Sequence, residues 1–265
     1  MERVVLASAG PATDGRAAAD WARLEARLRG LPLQVLTDGS PPDPDGAATV
    51  VLGVSRAEGR GMAGPDNNPA TQPDDHTPTP PNNNRTTRPG GNAPSPLDGD
   101  AVGTCSCPLV LVPDDLAPAP RTGEVALGVD PRRPAPAVIR FAFDSARLRG
   151  VGLRAVHAWT LPPAAAELPF GVPEEDRAAW EDHEVQLLAD ALRPWRAKYP
   201  DVPVIEDVLL LTPVHALLHH GADTALVVVG RRYGSGAQDL ARDLTRDLVR
   251  DLVREAMCPV AVVPS

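Results

Sequence analysis

Residues 227–238 read VVVGRRYGSGAQ, a valine run that breaks into a loop with glycines at 230, 234 and 236. A glycine-rich turn after a buried parallel strand lets backbone N–H groups reach a phosphate, so this loop is the first candidate for chemistry. Asp130 closes a second apolar run, EVALGVD (124–130). That places a carboxylate at the end of a strand, where α/β proteins gather their ligands. Its structural alternative is to cap the helix that follows. His215 and His219 stand four apart on a predicted helix, a spacing that could offer two imidazoles to zinc. No Glu joins them in an HExxH arrangement and no third ligand is apparent, so they are expected to be surface or helix-end histidines. His157 is expected to face a loop in a structural role. There is no P-loop lysine, no G-x-S-x-G elbow and no Cys–His pairing that spacing supports. No catalytic residue, metal site or enzymatic activity is therefore assigned. Cys105 and Cys107 are too close to bridge without strain, and all three cysteines, Cys258 included, are expected to be free thiols. Cys107 and Cys258 precede apolar strands and are expected to be inert in the core.

Hydrophobic periodicity supplies the elements that must position these groups. It predicts strands at 124–130, 153–159, 204–211, 225–230 and 258–264, with helices at 136–150, 174–200, 213–222 and 237–257 between them. Ile139, Phe143, Ala146 and Leu148 form the inward face of the first helix. Trp180, Val185, Leu188 and Leu192 are the inward candidates of the second. Alternating β and α elements with continuous Val/Leu strands imply a parallel, doubly wound α/β sheet with helices on both faces.

The chain also repeats itself. ARLRGLPLQVL (26–36) matches ARLRGVGLRAV (146–156), and CPLVLVP (107–113) matches CPVAVVP (258–264). Between them TVVLGVSR (49–56) resembles ALVVVGRR (225–232). Three matches in one order imply a tandem duplication. They divide the chain into a truncated first copy at 1–113, a Pro-rich linker at 114–123 and a complete second copy at 124–265. The first copy lacks the stretch that holds a strand and two helices in the second. It carries instead a segment at 64–100 that is rich in Pro, Asn, Thr, Asp and Gly, which is expected to be disordered because it cannot bury enough apolar surface to offset its ordering entropy.

The helix after the glycine loop, DLARDLTRDLVRDLVREAM (239–257), repeats RDL every four residues. Leu240, Leu244, Leu248 and Leu252 form a ridge widened by Val249, Val253 and Met257. Asp239/Arg242, Asp243/Arg246, Asp247/Arg250 and Asp251/Arg254 are i,i+3 pairs, each worth about 0.2–0.5 kcal/mol. The helix is expected to pack its leucines on the sheet and keep a solvated charged face.

Composition narrows the function classes. The net charge of −9 and pI near 5.1 give no field that would draw the chain to DNA or RNA. No apolar run approaches the ~20 residues of a membrane helix. MERVVLASAG lacks the basic flank and apolar length of an export signal, so a soluble cytoplasmic protein is expected.

Taken together, GVD at 128–130, VHAW at 156–159, VVVGRR at 227–232 and the terminal CPVAVVP resemble the universal stress protein family. The resemblance covers most of 123–265 and, more faintly, 1–56 and 102–113. It implies a Rossmann-like five-stranded parallel sheet, often in tandem copies, that homodimerises through the last strand, here 258–264. Some members bind ATP and others do not. In those that do, the loop after the fourth strand carries G-x-x-G-(nine)-G-(S/T). Here Gly230 supplies the first glycine and Gly234 stands one step late. Counting back from Cys258 puts Arg246-Asp247 where the closing pair belongs, with a carboxylate in place of a hydroxyl donor. The family's adenine contact falls on Asp130. Gly10 stands at the equivalent place in the first copy, which is not expected to bind nucleotide. The resemblance thus implies a stress-response protein that acts through protein contacts, without catalysis and with weak or no nucleotide binding. The alternative is an ATP-binding stress sensor using Asp130, Val156, Gly230, Arg231 and Gly234. A nucleotide hydrolase lacks an identifiable base or metal ligand.

Overall fold

The computed structural model describes residues 4–8, 15–36, 47–55, 106–116, 122–162, 165, 172–219, 224–231 and 239–265, with the side chains of 239–246 left undescribed. The segment 64–100 and Gly234 lie outside them. In chain order the described elements are β1 (Val4–Ser8), α1 (Arg16–Arg29), β2 (Leu33–Leu36), β3 (Ala47–Val54), β4 (Leu109–Pro113), β5 (Val125–Gly128) and α2 (Pro136–Arg149). They continue as β6 (Leu153–Ala158), α3 (Glu174–Lys198), β7 (Val204–Leu209), α4 (Pro213–Leu218), β8 (Leu226–Arg231), α5 (Asp239–Glu255) and β9 (Val260–Pro264).

All nine strands form one sheet in the order β2-β1-β3-β4-β9-β8-β5-β6-β7, parallel throughout except where β4 meets β9. The doubly wound α/β fold expected of the sequence is present. Alternation along the strands builds two cores. Val5, Val51, Val110, Leu127, Val228 and Val263 face α1, α2 and α3, whereas Leu6, Leu52, Leu111, Val227 and Val262 face α4 and α5. Both faces of each central strand are covered, which is why these strands read as unbroken Val/Leu runs.

The first four strands repeat the order and register of the second half. Val5 pairs with Leu33 as Val125 pairs with Leu153, and Gly53 lies opposite Val112 as Gly230 lies opposite Val263. Helices α1 and α2 both end on a left-handed glycine, Gly30 at φ 64° and Gly150 at φ 66°, a conformation in which a side chain would be strained. In the second half α3, β7 and α4 lie between β6 and β8, while the short link from β2 to β3 has no room for their counterparts.

Three expectations need correction. The last strand was expected to pair across a homodimer. Here β8 takes one edge of β9 and β4 of the same chain takes the other, so no ladder is left for a second copy. Along α3 the inward row is Glu184, Leu188 and Leu192, each one helical turn from the next, whereas Val185 is exposed and Trp180 half-buried. Met257 lies beyond α5 and is exposed, while Val249, Leu252 and Val253 are buried as expected. Of the Asp/Arg pairs on α5, Asp247–Arg250 closes at 3.1 Å and Asp251–Arg254 stands at 3.8 Å. The other two involve side chains outside the described set. No helix among the described residues is long and apolar enough to cross a membrane.

Candidate functional site

A cavity of about 440 Å³ opens at the C-terminal ends of β5, β6 and β8. Strand β5 lies between β6 and β8, so the chain leaves the sheet in opposite directions on its two sides. Such a divergence leaves a crevice that no crossover fills, and ligands of open α/β sheets bind there. Gly128, Val129, Val138, Ile139, Val156, Leu217, Val229 and Leu248 give it apolar walls, and Asp130, Arg132, Arg133, His157 and Thr160 supply the polar groups.

The structure brings Asp130, Val156 and Gly230 together on this cavity. Asp130 is half-exposed and accepts the Arg132 backbone N–H at 3.1 Å. It therefore caps its own turn and not the helix, because α2 starts later, behind Ala135 with Pro136 in its first turn. Val156 is buried, and its carbonyl already accepts the Val129 N–H at 3.0 Å. Gly230 is closely packed: a Cβ there would meet Val138 Cγ2 at 3.1 Å, so a side chain would press against α2. Arg231 is a correction. It is buried and is not among the cavity-lining residues, and its carbonyl receives the Ser265 N–H and hydroxyl, each at 2.9 Å. Asp247, at the place of the closing phosphate pair, is exposed and paired with Arg250, and the neighbouring Leu248 lines the cavity instead.

His157 is also a correction. It lies within β6 and is buried, with Nδ1 3.3 Å from the Val129 carbonyl and Nε2 3.0 Å from Glu184 Oε2. Glu184 in turn accepts both Arg132 guanidinium nitrogens, at 2.7 and 2.5 Å. This fork ties α3 to the loop that carries Asp130 and occupies the Arg132 charge. Hydrogen bonds from Arg132 hold the Glu184 carboxyl below the usual glutamate range; burial opposes this and His157 assists it. A lowered folded value means that the stabilisation is fully present above the ordinary value near 4.5 and is lost as the pH falls through the folded one. Thermal melts from pH 7 downward should therefore show a loss of stability below about pH 4.5 that Glu184→Gln reduces.

Sequence reasoning missed Glu184 and Arg132. The available signal was a carboxylate in the same i, i+4, i+8 row as Leu188 and Leu192. His215 is exposed and bonds Thr212 Oγ1 at 2.9 Å beside the start of α4; among the described residues no three His, Cys, Asp or Glu side chains gather as a metal site would require. Cys107 and Cys258 are both buried, and neither is part of a disulfide.

Residues 123–264 match the universal stress protein family. The chain belongs to that family. Two universal stress proteins of Mycobacterium tuberculosis are 37% and 34% identical to it over 131 and 128 residues, which is 49% and 48% of this chain. Those matches cover only 43% and 41% of the relatives, so the chain spans less than half the length of the curated relatives it matches. A universal stress protein from Lactobacillus plantarum superposes with a TM-score of 0.37 at 17% identity, covering 54% of this chain and 98% of that one. Within the universal stress protein match lie Asp130, Val156 and Gly230, together with the Arg132–Glu184–His157 fork.

Proposed function

We propose that this universal stress protein family member is non-catalytic and acts in the stress response through protein contacts. In this reading, 124–265 is a complete family domain, 1–113 is a truncated tandem copy and 114–123 joins them. The cavity of the complete domain takes the adenosine end of a nucleotide weakly and leaves the phosphates ungripped. The observation that carries this is the rim of the cavity. Its described walls are apolar, Arg132 is held by Glu184 and Arg133 lies 3.5 Å from Asp130, while the family pattern that the sequence resembles puts Asp247 where a phosphate-binding hydroxyl is expected. A hydroxyl donates to a phosphate oxygen, whereas a carboxylate can only repel it.

Calorimetric titration of the full chain with adenosine tests the reading. The expected dissociation constant is on the order of 1 mM, weakened several-fold by Asp130→Ala. Absence of heat, or binding indifferent to Asp130, would remove the adenosine site. The second reading, an ATP sensor, is favoured by one observation: Asp130, Val156 and Gly230, far apart in sequence, line one cavity.

A further inference from the structure

Helices α1 and α2 meet through residues that are 120 apart in sequence: Trp21 and Phe141, Glu25 and Ser145, Arg29 and Arg149. The contact is reciprocal. The Arg29 guanidinium lies 4.9 Å from the Phe141 ring centroid, and the Arg149 guanidinium lies 5.5 Å from that of Trp21. Arg29 bonds Glu25 on its own helix and Ser145 Oγ across the contact at 3.1 Å. Arg149 bonds the Ser145 carbonyl on its own helix at 3.2 Å and Glu25 across the contact. The strand pairing follows the same axis. Val110 faces Ala261, its own counterpart in the repeat, while Leu109 faces Val262 and Leu111 faces Val260. Each residue meets the partner of its counterpart, which is the signature of an isologous two-fold interface. Here it is closed within one chain.

The symmetry fails at one place that matters. Glu25 and Ser145 are both fully buried, and Glu25 receives a guanidinium from each helix. Arg149 is itself largely buried. A buried guanidinium without a carboxylate is strongly disfavoured. If the face formed by α2 and β9 met a second copy of itself, two Arg149 side chains would come together with only Ser145 from each side.

We infer that Glu25 selects the partner of the α2–β9 face: that face takes the α1–β4 unit of its own chain and rejects a second copy of itself. The carboxylate is needed near the axis, but it can be supplied from either helix, because Ser145 occupies the symmetric position.

The test uses the full chain. Glu25→Ser should lower the melting temperature by about 5 °C or more, since it leaves both arginines without a carboxylate. Adding Ser145→Glu to that variant moves the same side chain across the axis at unchanged total volume and should recover most of the loss. If Glu25→Ser does not fold, Glu25→Gln, which keeps the shape, should fold and melt below the wild type. Sedimentation of the wild type should show no dimer that depends on this face. An unchanged melting temperature in Glu25→Ser, a failure of Ser145→Glu to restore it, or a wild-type dimer that Arg149→Ala dissociates would overturn the inference.

Discussion

Glu184→Ala is expected to lower the unfolding free energy by about 3 kcal/mol at neutral pH. The side chain is buried and serves two partners from different parts of the fold, Arg132 in the loop after β5 and His157 on β6. Removing it leaves the buried His157 Nε2 facing no acceptor and releases the half-exposed Arg132. Glu184→Gln keeps an oxygen for one of these groups and should cost about half as much. Urea unfolding of the three proteins measures both numbers. A cost within ~0.5 kcal/mol for the alanine variant, the range of ordinary surface substitutions, would mean that the fork contributes no stability.

Phe143→Ala has the larger expected effect, about 3–5 kcal/mol. The ring is fully buried on α2, with the Tyr199 ring 5.1 Å away and the Trp195 ring 6.3 Å away, so it joins α2 to the end of α3. No small side chain fills that gap, because Tyr199 is fixed by its hydroxyl bond to Asp144 at 3.0 Å. The counterpart of Phe143 in the repeat is Arg23, exposed and paired with Asp20, at a place where the first half has no α3 to cover it. Chemical unfolding with the same probe measures the loss; a change below about 1.5 kcal/mol would show that the site collapses around the smaller side chain.

These two residues mark what the sequence could and could not reveal. Phe143 was legible because it falls on a helical row with Ile139 and Ala146, and local periodicity is enough to place it. The sheet was legible for the same reason, since its strands are Val/Leu runs separated by helical patterns. The likeness between the two halves was visible as ARLRG occurring twice, and the strands that follow each copy share a register, Val5 with Leu33 and Val125 with Leu153. Glu184 was not, because it sits among the charges of EEDRAAWEDHEVQLLAD, where a carboxylate reads as solvated. Its partners are 52 and 27 residues away, and only the folded sheet brings them together. The pairing of β4 with β9 was hidden differently. Both strands were recognised, but no local pattern says whether an edge will be taken by another molecule or by the same chain. At the cavity, Asp130, Val156 and Gly230 share one lining although they are far apart in sequence, whereas Arg231, buried at the end of β8, is not part of it, and position in a strand does not by itself separate the two cases.

In the proposed reading, the apolar walls of this cavity suit an adenosine, and among its described residues Arg132 and Arg133 are already paired with carboxylates. Calorimetric titration of the full chain with adenosine, and separately with ATP and magnesium, tests it most directly. Two weak isotherms are expected, with ATP no more than about threefold tighter than adenosine, because the described arginines at the rim are already paired with carboxylates. ATP binding about a hundredfold tighter than adenosine, equivalent to roughly 2.7 kcal/mol of phosphate recognition, would contradict it.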